Sequence, residues 1–190
     1  DIQGSSDGVS YNGSRVVVDS GKPVYYRLTI DHTAASETSI NAVRMQFTLP
    51  PNVLYGGAVP APEVVSGTTG AVLTWTTTNL LAGLGGPPYE IADPALLVSV
   101  SGLVVDCRTD LNAAALVEYG CGEADMCLTT TDTLPLRTIP LIGGLAANSQ
   151  LTLETCGGLY RVTVTNTGAT AVSEIFNTVA PRGYIVASAS

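Results

Sequence analysis

The sequence predicts an all-β fold: an antiparallel β-sandwich with one full repeat, followed by the start of a second repeat. Three observations support this prediction. Apolar and polar side chains alternate along several segments, which is typical of strands with one buried face and one solvated face. Segments rich in Gly, Pro and Asn separate the candidate strands at intervals of roughly 8–12 residues, as in sandwiches. A stretch that starts at Tyr26 also recurs at Tyr160, which gives a period of 134 positions.

The first elements of the chain follow from local composition and alternation. Residues 1–13 are rich in Gly, Ser and Asp and are predicted to form a linker. A short strand is expected at residues 16–18, and a Gly-Lys-Pro turn follows it. Residues 24–30 then alternate between apolar and polar side chains, so this segment is predicted to be a strand of an antiparallel sheet. Its predicted inward side chains are Tyr26, Leu28 and Ile30.

A second alternating strand is predicted at residues 43–49, after a polar connection and before two prolines that cannot donate to a sheet. Its predicted inward side chains are Val43, Met45, Phe47 and Leu49. Loops rich in Gly and Pro are expected at residues 56–70 and 80–88. Between them, Leu73 and Trp75 share one face of a short strand, and Trp75 is predicted to fill the core between two sheets.

The second half of the first repeat is predicted to contain a central strand at residues 96–105, because a continuous apolar run suits a buried strand. Gly102 interrupts this run and is expected to mark a β-bulge. Another strand is expected at residues 113–119, and a polar connection at residues 129–132. Residues 134–142 contain two prolines and are therefore predicted to be an edge strand or a connector.

The domain organisation follows from the period. The first β-sandwich repeat is predicted at residues 14–150, and the beginning of an incomplete second repeat at residues 151–190. A Cys-containing segment, residues 107–127, lies near the end of the first repeat. One full period is long enough to bury a core. The chain opens without Met and is expected to be mature or internal, either a piece of a longer array or a unit completed by another chain.

Composition argues against several classes of function. The formal net charge is −8, the sequence pI is about 4.4, and the 8 basic residues are scattered, which argues against nucleic acid as a partner. Membrane insertion is not expected, because no apolar stretch reaches the roughly 18 residues that a spanning helix needs. Charged residues make up only 13% of the chain and its mean hydropathy is +0.31, so neighbouring repeats or copies are expected to cover some faces.

The four cysteines, Cys107, Cys121, Cys127 and Cys156, are predicted to form two disulfides. Their spacing is not the paired C-x-x-C of a zinc site, and a single histidine adds little to a metal site. Disulfides indicate an oxidising compartment. Three pairings are open. We favour Cys121–Cys127, which closes a small loop, together with Cys107–Cys156, which would join the end of the first repeat to the start of the second.

No catalytic residue and no cofactor site are predicted. His32, the single histidine, lies at a strand end where the second copy has Asn166, and it is interpreted as a turn residue rather than a catalytic base. The sequence has no Gly-x-Ser-x-Gly nucleophile motif, no phosphate-binding loop and no dinucleotide fingerprint. The chain is therefore predicted not to be an enzyme.

Two pairs of acidic residues are weak candidates for calcium coordination, since calcium takes about six to eight oxygen ligands. These pairs are Glu123 with Asp125, and Asp106 with Asp110. Neither pair has the dense Asp, Asn and Gly spacing of a dedicated calcium loop, so both are interpreted first as solvated surface charges. Glu90 and Asp93 are interpreted in the same way.

The repeated segment resembles the tandem conserved-repeat domains of bacterial surface proteins. In those domains a Tyr-x-Val/Ile-x-Val/Ile strand leads to Asn-Thr-Gly, and a later strand leads to a Pro-x-Gly-Tyr/Val step. Here Tyr160, Val162 and Val164 precede Asn-Thr-Gly at residues 166–168, and residues 181–184 read Pro-Arg-Gly-Tyr. The first copy matches more weakly, because residues 32–34 read His-Thr-Ala.

A looser resemblance covers residues 98–190, which are similar to the long secreted repeat adhesins of gliding Bacteroidetes. The stretches around Cys107, Cys121 and Cys156 carry this likeness. This resemblance implies an O-glycosylation site, because the Asp-Thr-Leu sequence at residues 132–134 fits the short pattern of that group, with Thr133 as the acceptor.

The resemblance implies an Ig-like β-sandwich module, secreted to the surface of a bacterium, that works as a stalk or adhesin and is linked to gliding. The implied partners are neighbouring repeats of the same protein, other copies of the chain, and a surface or glycan ligand. Two alternatives stay open. One is a self-assembling extracellular filament subunit completed by a strand from a neighbouring chain. The other is an accessory domain of a secreted hydrolase.

Overall fold

The computed structural model divides the chain into two compact units, Asp1–Leu141 and Ile142–Ser190. The residues it describes are 1–33, 36–106, 111–120, 122, 126, 128–139, 145–154 and 157–166. The predicted all-β class is confirmed, because strands dominate the described residues and two sheets pack against each other in the first unit.

The described part of the first unit contains ten strands. In chain order they are β1 (Ile2–Ser5), β2 (Val16–Asp19), β3 (Pro23–Ile30), β4 (Ala42–Thr48), β5 (Val53–Val59), β6 (Val64–Ser66), β7 (Val72–Trp75), β8 (Leu96–Val104), β9 (Leu111–Gly120) and β10 (Leu128–Ile139). One sheet, called sheet A, has the order β1–β3–β8–β5. The other, sheet B, has the order β2–β10–β9–β4–β7–β6. The pairing of β2 with β10 is parallel, and the others are antiparallel.

The core lies between the two sheets and is built from the alternating strands, as predicted. The predicted inward side chains belong to this core or pack against it: Tyr26, Leu28, Ile30, Val43, Met45, Phe47 and Leu49. The rings of Tyr26 and Phe47 meet edge to face, with 5.3 Å between their centroids. Trp75 is fully buried, and its indole Nε1–H donates to the carbonyl oxygen of Pro60 at 2.9 Å. The prediction that Trp75 fills the core is therefore confirmed.

The apolar run forms the predicted central strand, since β8 lies between β3 and β5. The β5–β8 ladder has a register shift at the predicted position, because Gly102 pairs with Tyr55 and Ser101 with Gly57; the extra residue lies on β5 rather than on β8. Gly102 lies opposite Tyr55, where a Cβ atom would overlap Cγ1 of Val53 and lie 2.9 Å from the carbonyl oxygen of Leu54. The glycine interrupts the run because the backbone of β5 passes too close to leave room for a side chain.

The prediction of a linker over residues 1–13 is wrong for its first part, because Ile2–Ser5 forms β1. This strand pairs with β3, and the Ile2 side chain is buried. Gly4 lies so close to the neighbouring sheet that a Cβ atom would be 2.8 Å from Cβ of Val16. The Gly-rich composition therefore serves close packing here rather than flexibility.

β10 corrects two further predictions. Residues 129–132 are part of this strand rather than a polar connection. Residues 136–139 are not at the sheet edge, because β10 lies between β9 and β2 there, and residues 140–142 of the predicted edge segment lie outside the described residues. Pairing with β9 extends from the start of β10 to Leu136, whereas β2 joins only from Leu136 onward. Pro135 thus precedes the β2 ladder, where its missing N–H costs little.

Both predicted Gly- and Pro-rich loops contain short regular elements. Residues 56–70 include the end of β5 and all of β6, and β6 pairs with β7. A one-turn helix, α1 (Thr77–Leu80), and a 3-10 turn at Ala82–Leu84 begin the other segment. These elements are short, so their apolar periodicity is too brief to be detected in the sequence.

The second unit contains two described strands, β11 (Leu145–Glu154) and β12 (Gly157–Asn166), which pair as an antiparallel hairpin. β12 covers the positions that the 134-residue period assigns to β3, so the repeated stretch forms a strand in both copies. The pairing differs, because β3 has β1 and β8 on its two sides, while β2, the strand before it, lies in the other sheet. The strand before β12 instead pairs with it directly.

Candidate functional site

A cleft of about 220 Å³ opens at one side of the first unit, between the end of β3 and the start of β10. We call it the edge cleft. Its lining comes from both sheets: Asp1, Ile2, Leu28, Thr29, Ile30, Asp31, Thr33, Met45, Ala115, Val117, Thr130, Thr131 and Asp132. The cleft lies beside the end of β3. The hydrogen bonds between β1 and β3 continue past Ile2 opposite Leu28, since the N–H of Thr29 donates to the carbonyl oxygen of Asp1 at 2.9 Å.

The Asp132 carboxylate accepts two backbone hydrogen bonds at the edge of β10 beside this cleft. Its Oδ2 accepts a hydrogen bond from the backbone N–H of Ile2 at 2.8 Å, and its Oδ1 accepts one from the N–H of Thr133 at 2.8 Å. The first bond joins β10 of sheet B to β1 of sheet A. The second bond shows that the N–H of Thr133 points away from β9, because its acceptor is a side chain at the free edge of β10.

The edge cleft has an apolar floor and an acidic rim. Ala115 and Val117 on the floor each keep 8% of their surface exposed, more than most of the core. Among the described lining residues, three carry carboxylates, namely Asp1, Asp31 and Asp132, and none is Lys, Arg or His. The amino group of Asp1 lies 3.9 Å from Oδ2 of Asp132. The rim therefore carries more negative than positive charge.

His32 is held by packing rather than placed beside a nucleophile. Its ring lies against the ring of Tyr89 with 4.6 Å between centroids, and its Nε2 is 3.2 Å from the carbonyl oxygen of Tyr89. The Tyr89 hydroxyl lies 3.3 Å from the carbonyl oxygens of both Ile30 and Pro94, which share its single donor hydrogen. Burial, and then the neighbouring Asp31 carboxylate, raise the pKa of Tyr89 above its ordinary value. This cluster fastens the end of β3, and no sequence signal identified Tyr89.

Tyr11 and Arg27 form a second polar surface feature, on the outer face of sheet A. The guanidinium of Arg27 lies 4.0 Å from the centroid of the Tyr11 ring, a cation–π distance. Asp7 orders the loop that carries Tyr11, since its Oδ1 accepts from the backbone N–H groups of Val9 and Ser10, both at 2.8 Å. These hydrogen bonds, with that of Ser10 first, lower the pKa of Asp7 from 3.8 to about 2.

Only one of the four acidic calcium candidates, Asp106, lies among the described residues. Glu123, Asp125 and Asp110 lie outside the described residues, while Asp106 follows β8 and its carbonyl oxygen accepts from the Asn52 side chain at 3.3 Å. No group of three or more His, Cys, Asp or Glu able to hold a metal ion is present in the described parts of the chain. The carboxyl of Asp93 accepts from the N–H of Glu90 at 2.8 Å, which closes a turn.

The predicted disulfides lie outside the described residues, whereas the predicted glycosylation site lies among them. The four cysteines, Cys107, Cys121, Cys127 and Cys156, lie outside the described residues, as do residues 167–184 of the second copy. Thr133 is exposed on β10, between Asp132 and the buried Leu134. An exposed hydroxyl is accessible to a modifying enzyme, and the glycosylation of Thr133 stays a prediction.

Comparisons with known proteins add no relationship. No protein-family model matches the chain, and no curated protein matches it. Among the described residues, no helix is long and apolar enough to cross a membrane.

Proposed function

We propose that the chain is a structural and adhesive repeat module of a large secreted bacterial surface protein and has no catalytic activity. The observation that carries this proposal is that β3 and β12 coincide with the two copies of one stretch, which lie 134 positions apart. A repeat of domain length is expected in chains that span distance by joining similar units. The Ig-like assignment, the secretion and the link to gliding belong to the same proposal.

The arrangement around His32 favours this role over catalysis. A histidine that acts as a general base must reach the proton that it abstracts. In this chain the His32 ring is instead packed on Tyr89, and its Nε2 faces a backbone carbonyl oxygen. A histidine used in this way contributes to the stability of a rigid module.

Two measurements test the proposal. The complete reading frame of the gene should contain further copies of the stretch found at residues 160–184, together with an export signal. An antibody raised against the 190-residue chain should label intact cells as strongly as permeabilised ones. Labelling that needs permeabilisation, or a reading frame with an adjoining catalytic domain, would contradict the proposal, and the second result would favour the accessory domain of a hydrolase.

A filament subunit is the second candidate, and the hairpin of the second unit favours it. β11 and β12 pair with each other along ten residues each, and no further strand joins this two-stranded sheet among the described residues. A two-stranded hairpin is marginal alone and gains stability when another strand is added. Filaments in electron micrographs that lengthen with protein concentration would support this candidate, whereas a concentration-independent monomer in analytical ultracentrifugation would contradict it.

A further inference from the structure

We propose that the edge cleft binds an extended peptide segment carrying Arg or Lys, which adds a strand to the free edge of β10. The inference goes beyond the proposed structural role and does not depend on it. A free sheet edge with an acidic, partly apolar cleft recognises a basic strand whether or not the module belongs to an array.

The backbone of β10 offers hydrogen-bonding groups at this edge. Among the described strands, β2 pairs with β10 only from Leu136 onward, so the earlier residues of β10 are paired with β9 alone. The N–H of Thr133 faces the free edge, since it donates to Asp132. Backbone direction alternates with a period of two, so the N–H and C=O of Thr131 and Thr129 face the same way. Such groups pair with water or with an added strand.

The cleft also has room for the side chains of an added strand. The gap between the end of β3 and the start of β10 measures about 220 Å³, and its floor includes Ala115 and Val117. Alternate side chains of a strand on the β10 edge would point into this gap, because successive side chains of a strand face opposite sides. The apolar floor would gain burial from the aliphatic part of such a side chain.

The negative charge of the cleft rim favours an occupant with cationic side chains. The rim carboxylates of Asp1, Asp31 and Asp132 do not form a metal-binding group, yet they line the same cleft. Lys and Arg combine an aliphatic stem with a cationic end, so one such side chain matches an apolar floor and an acidic rim together. A second copy of this chain is a poorer occupant, because each copy carries a formal net charge of −8 and two copies repel.

The experiment uses the whole 190-residue chain and two fluorescent nine-residue peptides with blocked ends. In the first peptide, valine alternates with threonine and arginine; in the second, glutamate replaces each arginine. Fluorescence anisotropy titrations should show binding of the arginine peptide at least about tenfold tighter than that of the glutamate peptide, and added salt should weaken it. Equal affinity of the two peptides would overturn the assigned chemistry.

Substitutions locate the binding at the edge. Thr131→Pro removes a backbone N–H from the free edge without removing a donor to β9, as Pro135 already does in the same phase of the strand. This variant should lose at least about tenfold in affinity for the arginine peptide, whereas Thr131→Ala, which keeps the N–H, should lose less than about threefold. Wild-type affinity in Thr131→Pro would place the peptide elsewhere and overturn the proposal.

If circular dichroism shows that Thr131→Pro is unfolded, a charge variant tests the proposal instead. Asp31→Asn keeps the acceptor for the N–H of His32 and removes one rim charge, so it should weaken binding by about three- to tenfold. The matched control is Asp93→Asn, an acidic residue in a turn outside the cleft lining, which should not weaken binding. Equal effects of Asp31→Asn and Asp93→Asn would overturn the proposal. Light scattering that shows a wild-type dimer, together with a monomer for Thr131→Pro, would also overturn it, because a second copy of the chain would then be the occupant.

Discussion

The backbone N–H of Ile2 donates a hydrogen bond of 2.8 Å to the carboxylate of Asp132, which lies 130 positions away in the chain. This bond joins sheet A to sheet B at the side where the sandwich is open. The same carboxylate accepts from the N–H of Thr133, so one side chain satisfies two backbone donors at two strand edges. Asp132 thus has the role that pairing with a further strand would otherwise have at this point.

Replacement of Asp132 by Ala should destabilise the first unit. The substitution removes the acceptor of both N–H groups, and the expected loss is about 1–2 kcal/mol in the free energy of unfolding, moderated because the side chain is 45% exposed. Urea unfolding followed by tryptophan fluorescence measures it, since Trp75 reports on the core. Asp132→Asn keeps a side-chain oxygen and should lose less, and Thr133→Ala serves as a surface control. If the Asp132→Ala variant were as stable as wild type, the prediction that these two hydrogen bonds stabilise the first unit would be wrong.

Replacement of Gly102 by Ala should also destabilise the sandwich. A Cβ at this position would overlap the Val53 side chain and lie 2.9 Å from the carbonyl oxygen of Leu54, so β5 and β8 would have to move apart. Overpacking of this kind costs about 1–3 kcal/mol. The control is Gly83→Ala, since no atom lies within 4 Å of a Cβ added there. Equal midpoints of thermal unfolding for the two variants would show that β5 moves away from β8 without a loss of stability.

The sequence predicts the core well and the edges poorly, and the reason is physical. Burial of one strand face leaves a period-two pattern in the sequence, so the inward positions of β3 and β4 were predictable. The choice of which strand pairs with which leaves no such pattern in the sequence. Pro135 indicates a missing donor, but whether the strand lies at an edge depends on where β2 joins it. The edge cleft is lined by residues of both sheets that lie far apart in the chain, so no local pattern in the sequence predicts it.

The loop that carries Tyr11 should lose stability in acid. The pKa of Asp7 is about 2 in the folded chain and 3.8 ordinarily, because hydrogen bonds from Ser10 and Val9 favour the carboxylate. A lowered pKa contributes stability that is complete above the unfolded value and is lost as the pH falls from about 3.8 through about 2. The stability difference between wild type and Asp7→Asn should therefore shrink over this window in urea titrations. A constant difference would show that the carboxylate charge does not matter.

Arg44 and Glu118 should show measurable coupling in a double-mutant cycle. They lie directly opposite each other on β4 and β9, and both Nη2 and Nε of Arg44 contact Oε2 of Glu118, at 2.6 and 2.7 Å. Their side chains are 42% and 21% exposed, so screening by solvent limits the coupling energy to about 0.5–1 kcal/mol. The single and double Ala variants measure it, and the coupling should fall as salt is added. A coupling energy of zero at low salt would mean that the pair does not stabilise the sheet.

Replacement of Tyr26 by Phe should leave the protein as stable as wild type or stabilise it by up to about 1 kcal/mol. The Tyr26 side chain is fully buried, and its hydroxyl has no hydrogen-bond partner among the described residues. Burial also raises the pKa of Tyr26 above its ordinary value of 10, so above that pH the unfolded chain ionises first and stability declines as the pH rises. Tyr26→Phe should lack this part of the alkaline decline in thermal unfolding while it keeps the ring contact with Phe47. A clear loss of stability in Tyr26→Phe at neutral pH would show instead that the hydroxyl has a stabilising partner, such as a buried water molecule.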